Sequence, residues 1–230
     1  MKIVNKGVEA VNKALEILNC FTEKREELNL TQLSKITGNY KSTTLRLSRS
    51  LENYGYLEKE PNGKYKLGPA INKLISIYDD SFNYKDLIQA QLEEMTRATN
   101  ETASFFVRQR SNRICVLTSE PYKVIKHTVQ IGTLKPINTG ASGHILSAYH
   151  NLKIKNKDSI LSNGYSMSFG ERDPEIASVS VPLMSASIKI MGALTITGHI
   201  SNFNKKNSLK FLNILRLSKT KIEKELKKLK

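Results

Sequence analysis

The chain has 230 residues and an ordinary mixture of side chains, with 39% hydrophobic and 25% charged. This length fits one large domain or two small ones, and no apolar run approaches the roughly 20 residues that span a bilayer. The segment from Met1 to Lys6 lacks the apolar run of a signal peptide, so we expect a cytoplasmic protein without a membrane partner. Cys20 and Cys115 are too few and too far apart for a disulfide framework, and we expect buried free thiols.

The formal net charge of +15 is compatible with a nucleic-acid partner, but its distribution weakens that argument. Residues 201–230 carry a net charge of +8, whereas residues 1–68 carry only +4. A lysine-rich terminal helix usually has a solvated polar face. The prediction of function therefore depends on motifs rather than on charge.

The first helix is predicted by apolar residues at three- and four-residue spacing. Those expected to face inward are Val8, Val11, Leu15, Leu18 and Phe21. Asn29 is a suitable N-cap for a short second helix, which ends at Gly38. Leu30, Leu33 and Ile36 are the apolar residues of that second helix, and we expect them to face inward.

A third helix is predicted over residues 41–54. Its inward face comprises Thr44, Leu47, Ser48 and Leu51. Ser48 is the least suited of these, because a large apolar residue would pack better. Short strands at 56–60 and 64–67 follow, and the turn Pro61-Asn62-Gly63 joins them into a hairpin. Helix, helix, short turn, helix and hairpin is the order of a winged helix-turn-helix.

The second half of the chain changes to an α+β pattern. Ile71, Leu74, Ile75 and Tyr78 predict a linker helix within 69–84. The further predicted helices are 85–98, 138–149, 159–163 and 209–229. The predicted strands are 102–108, 114–120, 124–129, 176–183 and 193–197. We therefore predict an α+β protein with a DNA-binding domain at 1–68, a linker at 69–84 and a second domain at 85–230.

The outward face of the third helix carries residue types that bind DNA in the major groove. Arg46 or Arg49 is able to bond a guanine edge, and Leu45 is able to pack on a thymine methyl group. Lysines of the hairpin, Lys59, Lys64 and Lys66, are suited to phosphates. The predicted DNA-binding residues are Lys41, Ser42, Thr43, Leu45, Arg46, Arg49 and Lys64. A small helical domain with a solvated basic face is the alternative interpretation.

The order and spacing of short motifs resemble the IclR-type regulator family. In the first domain these are Lys41-Ser42-Thr43-Thr44-Leu45-Arg46-Leu47, Leu51, Tyr54-Gly55-Tyr56-Leu57 and Gly63-Lys64-Tyr65-Lys66-Leu67-Gly68. Downstream they are Glu101-Thr102-Ala103, Thr139-Gly140-Ala141-Ser142-Gly143, Ile145-Leu146, Gly164-Tyr165, Gly170-Glu171, Ile176-Ala177, Val181-Pro182 and Gly192-Ala193-Leu194. The resemblance implies a GAF-like effector domain in a homodimer or homotetramer. Such a protein binds double-stranded operator DNA and responds to a small organic effector, often a carboxylate or an aromatic compound.

The same resemblance implies a set of effector-binding residues. They are Gly140, Ala141, Ser168, Ser178, Thr195 and Thr197. A helix N-terminus at Gly140 favours an anion, and the absence of a side chain lets a ligand approach closely. Hydroxyl groups on strands are able to orient a polar ligand. The alternative is that these residues are small because the sheet packs tightly around them.

Two departures from the family pattern concern the effector domain. The lysine-rich segment 150–163 is shorter than in the family, which generally has additional helices there that cover one side of the pocket. Lys123 and Lys126 stand where the family has an apolar pocket wall. Lys126 either pairs with an anionic effector or points to solvent.

Enzymatic and metal-binding interpretations are weaker. Ser142, His144 and Glu171 resemble a nucleophile, a base and an orienting group, but no Gly-x-Ser-x-Gly motif supports a hydrolase. The histidines, at 127, 144, 150 and 199, lack partners at metal-ligand spacing. We therefore expect a transcriptional regulator that is not an enzyme and that needs no cofactor or metal. A DNA-binding regulator of the same architecture without an effector remains the alternative.

Overall fold

The computed structural model of the protein describes residues 7–22, 24–81 and 84–228, without the side chains of residues 78–81. The chain separates into an N-terminal unit, residues 1–83, and a C-terminal unit, residues 84–230. Among the described residues, no helix combines the length and the apolar character needed to cross a membrane.

The N-terminal unit consists of helices with a small hairpin. Its helices are α1 (Glu9–Leu18), α2 (Leu30–Thr37), α3 (Lys41–Asn53) and α4 (Ala70–Ser81), and its strands are β1 (Leu57–Lys59) and β2 (Tyr65–Leu67). Asn29 is confirmed as the N-cap of α2: its side chain accepts a hydrogen bond from Gln32 N–H, and Gln32 accepts one from Asn29 N–H. Gly38, at φ 71°, ends α2 in the left-handed conformation that a glycine adopts without strain. The predicted order of helices and hairpin is confirmed.

The core of the N-terminal unit differs in part from the prediction. Its buried residues are Ile17, Cys20, Leu28, Leu33, Leu57 and Tyr65. Val8, Val11 and Leu15 were expected inside but are 68%, 54% and 53% exposed, because α1 packs through the face that contains Ile17. Ile36 was also expected inside but is 44% exposed, because the two turns of α2 pack on the core through Leu33.

The C-terminal unit is a six-stranded antiparallel sheet with helices. Its strand order is β5-β4-β3-β8-β7-β6. The strands are β3 (Thr102–Gln109), β4 (Asn112–Ser119), β5 (Leu134–Pro136), β6 (Ser166–Phe169), β7 (Ile176–Met184) and β8 (Ile190–His199). The helices are α5 (Lys85–Thr99), α6 (Gly140–Tyr149), α7 (Lys157–Asn163) and α8 (Lys205–Lys228), with a 3-10 turn at Ile200–Asn202. The α+β fold class is confirmed.

Three strands of this unit were predicted incorrectly. Residues 124–129 form a loop, because Val124 and Ile125 are almost fully exposed and the side chains of Lys123 and Lys126 pair with carboxylates. The edge strands β5 and β6 were missed, since they have only three and four residues, and in β6 the buried positions are the serines Ser166 and Ser168. Edge strands with few apolar residues leave a weak sequence signal.

The cores of the two units place both cysteines away from solvent. Cys20 lies in the N-terminal core, and Cys115 lies beneath α6 with Phe106, Ile145 and Leu146. Both are free thiols, as expected. Burial raises the pKa of Cys115 to about 12, so this thiol stays protonated and unreactive.

Candidate DNA-binding and effector-binding sites

Helix α3 presents its polar face to solvent. Thr44 and Ser48 are fully buried on the opposite face, one turn apart. Of the predicted DNA-binding residues, Lys41, Ser42, Arg46 and Arg49 are exposed, whereas Thr43 and Leu45 are half-buried. Six of the seven predicted residues therefore lie on one helix, and Lys64 lies on the hairpin turn beside β2.

The cations of α3 and of the hairpin differ in their partners. Lys64 Nζ lies 3.1 Å from a Glu27 carboxylate oxygen. Lys66 pairs with Glu58 and Glu60 across and along the hairpin. Among the described residues, Arg46 and Arg49 have no ion pair. The exposed face of α3 thus carries positive charge without an ion pair among the described residues, whereas Lys64 and Lys66 of the hairpin are paired. Lys59 lies over the Tyr65 ring, 5.8 Å from its centre.

Two exposed tyrosines flank α3 and were missed by the sequence analysis. Tyr40, the N-cap residue, is 85% exposed, and Tyr54, the C-cap residue, is 78% exposed. Each carries a hydroxyl that is able to bond a phosphate oxygen. The sequence did contain a signal for these two residues, namely their position at the two ends of α3. A large aromatic residue at a helix end is seldom needed for the core.

All six predicted effector-binding residues line one cavity of the C-terminal unit. Gly140 and Ala141 come from the start of α6, Ser168 from β6, Ser178 from β7, and Thr195 and Thr197 from β8. The free volume of the cavity is about 40 Å³. This is room for water-sized molecules, and it is well below the roughly 300–1,000 Å³ of pockets for drug-sized ligands.

A carboxylate of the protein occupies the N-terminus of α6. Glu171 accepts hydrogen bonds from Gly140 N–H at 2.9 Å and from the Ser168 hydroxyl at 3.0 Å. His144 Nε2 lies 3.1 Å from the same carboxylate, and its Nδ1 lies 3.1 Å from Ser166 Oγ. Burial raises the pKa of Glu171, but these hydrogen bonds outweigh it and hold the pKa below its usual value. The helix end that we expected to receive an anion therefore already holds one.

The cavity also has a basic wall, part of which lies against the start of α6: Arg113 Nη2 is 3.2 Å from the position that a Cβ on Gly140 would occupy. Arg113 is only 4% exposed, and its Nη1 donates to the Pro136 carbonyl. Lys135 stands directly opposite Arg113 in the β4–β5 pair. Burial lowers the pKa of Arg113 to about 10 and that of Lys135 to about 8, and the positive charge of Arg172 adds to both effects. Neither Arg113 nor Lys135 forms an ion pair with a carboxylate of the described residues.

Sequence reasoning missed this basic wall, although β4 contained a signal. Arg113 alternates with Cys115 and Leu117, and all three are buried on the same face of the strand. A period of two places residues i, i+2 and i+4 on one face. A charged residue in phase with buried apolar ones is a candidate for a functional site, because an isolated buried charge is costly.

The remaining charged residues near the cavity have defined positions. Lys126 Nζ lies 2.8 Å from a Glu120 carboxylate oxygen. Its charge is therefore paired within the protein, so neither of the two alternatives from the sequence, an effector contact or a free solvent position, describes it. Lys123 pairs with the buried Glu101 at 2.9 Å. Burial, together with Lys135 and Arg172, lowers the pKa of His127 to about 4, and the imidazole is therefore neutral near pH 7.

The structure does not assemble the hydrolase-like triad that the sequence allowed. His144 contacts Ser166 and Glu171 and makes no hydrogen bond with Ser142. In the described part of the chain, no three histidine, cysteine or acidic side chains come together as they would around a metal ion.

A helix-turn-helix with a hairpin wing, followed by a separate α+β unit, defines a transcriptional regulator rather than an enzyme. The sequence profile of the IclR helix-turn-helix domain matches residues 10–61. That of the bacterial transcriptional regulator IclR C-terminal domain matches residues 78–157. Because the two profiles together match more than half of the chain, this protein belongs to the IclR family.

Comparison with individual proteins agrees with this assignment. The chain is 23% identical over 216 residues to the HTH-type transcriptional regulator XynR of Escherichia coli (strain K12), covering 83% of this chain and 86% of XynR. It is 23% identical over 220 residues to KipR of Bacillus subtilis (strain 168), covering 85% of this chain and 88% of KipR. These relatives are regulators, so the expectation that the chain is not an enzyme is confirmed.

Solved structures share the fold. An IclR regulator from Alicyclobacillus acidocaldarius has a TM-score of 0.76 at 22% identity, with 96% of this chain and 99% of that one covered. An IclR homologue from Microbacterium hydrocarbonoxydans, complexed with 4-hydroxybenzoate, has a TM-score of 0.78 at 16% identity, with 95% and 99% covered. At these identities the likeness concerns the fold.

Proposed function

We propose that this IclR-family regulator binds a specific operator through α3 and that a small organic effector in the cavity of its C-terminal unit changes that binding. The observation that carries the proposal is the convergence of four separate elements, α6, β6, β7 and β8, on one polar cavity. The homologue from Microbacterium hydrocarbonoxydans, whose structure contains 4-hydroxybenzoate, supports a ligand site in this fold. An effector acts only by its differential affinity for two states of the protein.

The proposed operator contacts come from the exposed face of α3. Arg46 and Arg49 are exposed and without ion pairs among the described residues, so each is available to bond a guanine edge. Lys41, Ser42 and Thr43 lie in the first turn, where backbone N–H groups favour phosphate. Leu45 is half-buried beside them and provides an apolar surface for a thymine methyl group. We expect Lys64 to contact a phosphate after its ion pair with Glu27 is broken.

We also propose that the regulator is a homodimer or a homotetramer, with residues 69–84 linking domains 1–68 and 85–230. Apolar side chains remain exposed on two helices of the N-terminal unit. They are Val8, Val11 and Leu15 on α1, and Leu74, Ile75 and Ile77 on α4. Exposed apolar surface of this kind marks contacts with another chain. Symmetric oligomers bind half-sites spaced by a turn of the DNA helix.

A regulator of the same architecture without an effector is the second candidate. The small free volume of the cavity, about 40 Å³, favours it. So does Glu171, which already occupies the start of α6. In this candidate Ser178, Thr195 and Thr197 are small because the sheet packs closely at this point.

The first experiment measures DNA binding by fluorescence anisotropy across a salt series. The probe is DNA from immediately upstream of the protein's own gene, and a scrambled duplex is the reference. A preference of about a thousandfold or more at physiological salt supports a specific regulator. Weak and equal binding with a steep salt dependence indicates only a polycation effect. Arg46→Ala should weaken operator binding more than scrambled binding, whereas Lys210→Ala, an exposed lysine on α8, should change neither.

A second experiment distinguishes the two candidates. Thermal unfolding is followed with a panel of small metabolites, and a ligand at 100 times its Kd should add about 2.7 kcal/mol to stability. Any ligand that stabilises the protein is then tested for release of the operator. If no metabolite stabilises the protein, the candidate without an effector is favoured.

A further inference from the structure

We propose that the C-terminal unit has a second ligand site, separate from the cavity of the proposed effector, and that this site binds a phosphorylated sugar. The site is an open cleft between α6, α7 and β6, with a free volume of about 500 Å³. This volume lies within the roughly 300–1,000 Å³ of pockets for small organic ligands. Of the residues that line the cleft, Glu171 is the one that also lines the smaller cavity.

The first argument is a pair of lysines in the lining of the cleft. Leu152 and Ile154 pack against the core of the C-terminal unit, whereas Lys153 and Lys155 are exposed. Because this alternation has a period of two, both lysine side chains point to the side away from the core, and both line the cleft. Among the described residues, neither lysine forms an ion pair. The cleft therefore contains two positive charges that no carboxylate of these residues balances.

The charge of this lysine pair favours a phosphate over a carboxylate. A carboxylate has one negative charge and would balance one lysine, whereas a phosphate monoester carries about −1.5 to −2 near pH 7. Lysine binds phosphate well because its ammonium group is a compact point charge. Glu171, the acidic residue of the cleft lining, already accepts hydrogen bonds from Gly140 N–H and the Ser168 hydroxyl and contacts His144. Its carboxylate therefore does not take the place of an external anion.

The second argument is a pair of amide groups without partners among the described residues. Asn156 is the N-cap residue of α7, but its side chain does not cap the helix, although asparagine is a preferred N-cap because its side chain is able to do so. The side chain of Asn138 likewise makes no hydrogen bond to the described residues, and both asparagines line the cleft. A carboxamide donates and accepts hydrogen bonds, as a hydroxyl group does. The two amides are therefore suited to the hydroxyl groups of a sugar.

The third argument is that one wall of the cleft is fixed by α8. Arg216 of α8 donates from Nη2 to the carbonyl oxygen of Asn163, the last residue of α7, at 3.2 Å. The central carbon of the same guanidinium lies 5.5 Å from the centre of the Tyr165 ring. Asn163 Nδ2 also donates to Ser159 Oγ at 3.1 Å. A wall that is already ordered lowers the cost of binding a ligand.

Apolar side chains complete the lining. Ile160 is buried, Ile154 and Met167 are half-buried, and all three line the cleft. They are suited to the C–H groups of a sugar ring, which need apolar neighbours rather than hydrogen bonds. A phosphorylated sugar therefore supplies the charge, the hydroxyl groups and the C–H surface together, whereas inorganic phosphate supplies the charge alone.

The test measures binding to the full chain by calorimetry at constant ionic strength. The probes are glucose 6-phosphate, fructose 6-phosphate and ribose 5-phosphate, each of which differs from its parent sugar by the charge of one phosphate group. The parent sugars and inorganic phosphate are the comparison ligands. The variant with Lys153→Gln and Lys155→Gln removes both charges, and Ser159→Trp fills the cleft from an exposed position without a change of charge. Lys206→Gln with Lys210→Gln is the control, because it makes the same change in net charge at exposed positions of α8 outside the cleft lining.

At least one of the three sugar phosphates should bind the wild type with a Kd of about 1 mM or lower. Its parent sugar and inorganic phosphate should each bind about tenfold more weakly or weaker still, because each lacks one part of the ligand. The Lys153 and Lys155 double variant should lose about tenfold or more in affinity for that sugar phosphate, because charge-assisted hydrogen bonds are lost. Ser159→Trp should lose at least as much, and the control variant on α8 should bind like the wild type. Without a ligand, all the variants should unfold like the wild type, since the substituted positions are exposed.

Several outcomes overturn the inference. If none of the three sugar phosphates binds in this range, or if the parent sugar or inorganic phosphate binds equally well, the ligand class is wrong. Equal losses in the two lysine double variants would indicate a general attraction to a basic protein. Unchanged affinity in Ser159→Trp would place the bound phosphate outside the cleft. The proposed function is tested separately, because none of these measurements involves DNA or a ligand of the smaller cavity.

Discussion

Thr44 and Ser48 lie one turn apart on the buried face of α3, and within the described part of the chain only the Thr44 hydroxyl is hydrogen-bonded. Thr44 Oγ1 donates to the Tyr40 carbonyl at 3.1 Å. Ser48 Oγ has no partner among the described residues, although both side chains are fully buried. A buried hydroxyl without a partner costs about 1–3 kcal/mol. Helix α3 therefore contains an unpaired buried hydroxyl one turn from a hydrogen-bonded one.

Ser48→Ala should stabilise the protein by about 1 kcal/mol, because it removes the unpaired hydroxyl and leaves only a small void. Thr44→Val is the matched comparison: it keeps the shape, deletes a bonded hydroxyl and should destabilise by about 1 kcal/mol. Both are measured by urea unfolding. Operator affinity should stay unchanged in Ser48→Ala. A loss of stability in Ser48→Ala would show that the hydroxyl has a partner in solution.

Glu27→Gln should increase the affinity for every DNA sequence, because it frees Lys64 from an ion pair of 3.1 Å. A lysine that becomes available to phosphate steepens the salt dependence by about 0.9 in the slope of log K against log salt. Glu26→Gln is the control, since Glu26 is exposed, lies next in the chain and forms no ion pair among the described residues. Anisotropy titrations with operator and scrambled DNA measure both. Equal gains in the two variants would indicate a general charge effect and no role for Lys64.

Gly143→Ala should destabilise the C-terminal unit by about 1–3 kcal/mol, the usual cost of overpacking. A Cβ at this position would lie 2.6 Å from Arg113 Nη1 and 2.5 Å from the Ile137 carbonyl oxygen. Ser142→Ala, on the same helix, removes an atom instead of adding one and serves as the comparison. Thermal unfolding gives the stabilities. An unchanged or higher midpoint in Gly143→Ala would mean that Arg113 moves aside at little cost.

His127 should make stability fall as the pH falls from about 6.5 to about 4. Burial, with Lys135 and Arg172, lowers the pKa of this histidine from 6.5 to about 4 in the folded chain. The unfolded chain therefore binds a proton in this interval and the folded chain does not, which favours unfolding. His127→Gln should flatten the pH dependence there. His199→Gln, at an exposed histidine, is the control for loss of an imidazole. Identical profiles in wild type and His127→Gln would contradict this prediction.

The sequence predicted the N-terminal unit well because its signals are local. The N-cap at Asn29, the glycine at position 38 and the 61–63 turn each act over a few residues. The predicted inward face of α1 was wrong, because the apolar residues of this helix cover more than one face. The spacing of residues along the helix does not determine which of these faces packs on the core. That choice depends on packing partners distant in the chain.

The cavity was predicted less completely. Residues within a family motif, such as Gly140 and Ala141, line it as expected. Arg113 and Lys135 were missed, because their proximity depends on the pairing of β4 with a three-residue strand that carries little sequence signal. The hydrogen bond between Glu171 and Gly140 N–H at the start of α6 was also not predicted, because the two residues are 31 positions apart in the sequence.

The position of β8 between β3 and β7 sets an order of events during translation. After β3 ends at Gln109, the ribosome must add about 80 residues before β8 begins at Ile190 and covers that edge. At roughly 5–20 residues per second, this takes on the order of ten seconds. The contacts of the N-terminal unit span short stretches of sequence, so we expect it to fold while the second unit still exposes an open strand edge. Chains stalled before Ile190 should therefore be cleaved by protease after residue 84 but resist it between residues 24 and 77. Nascent copies on one polysome would meet first through their unfinished sheets.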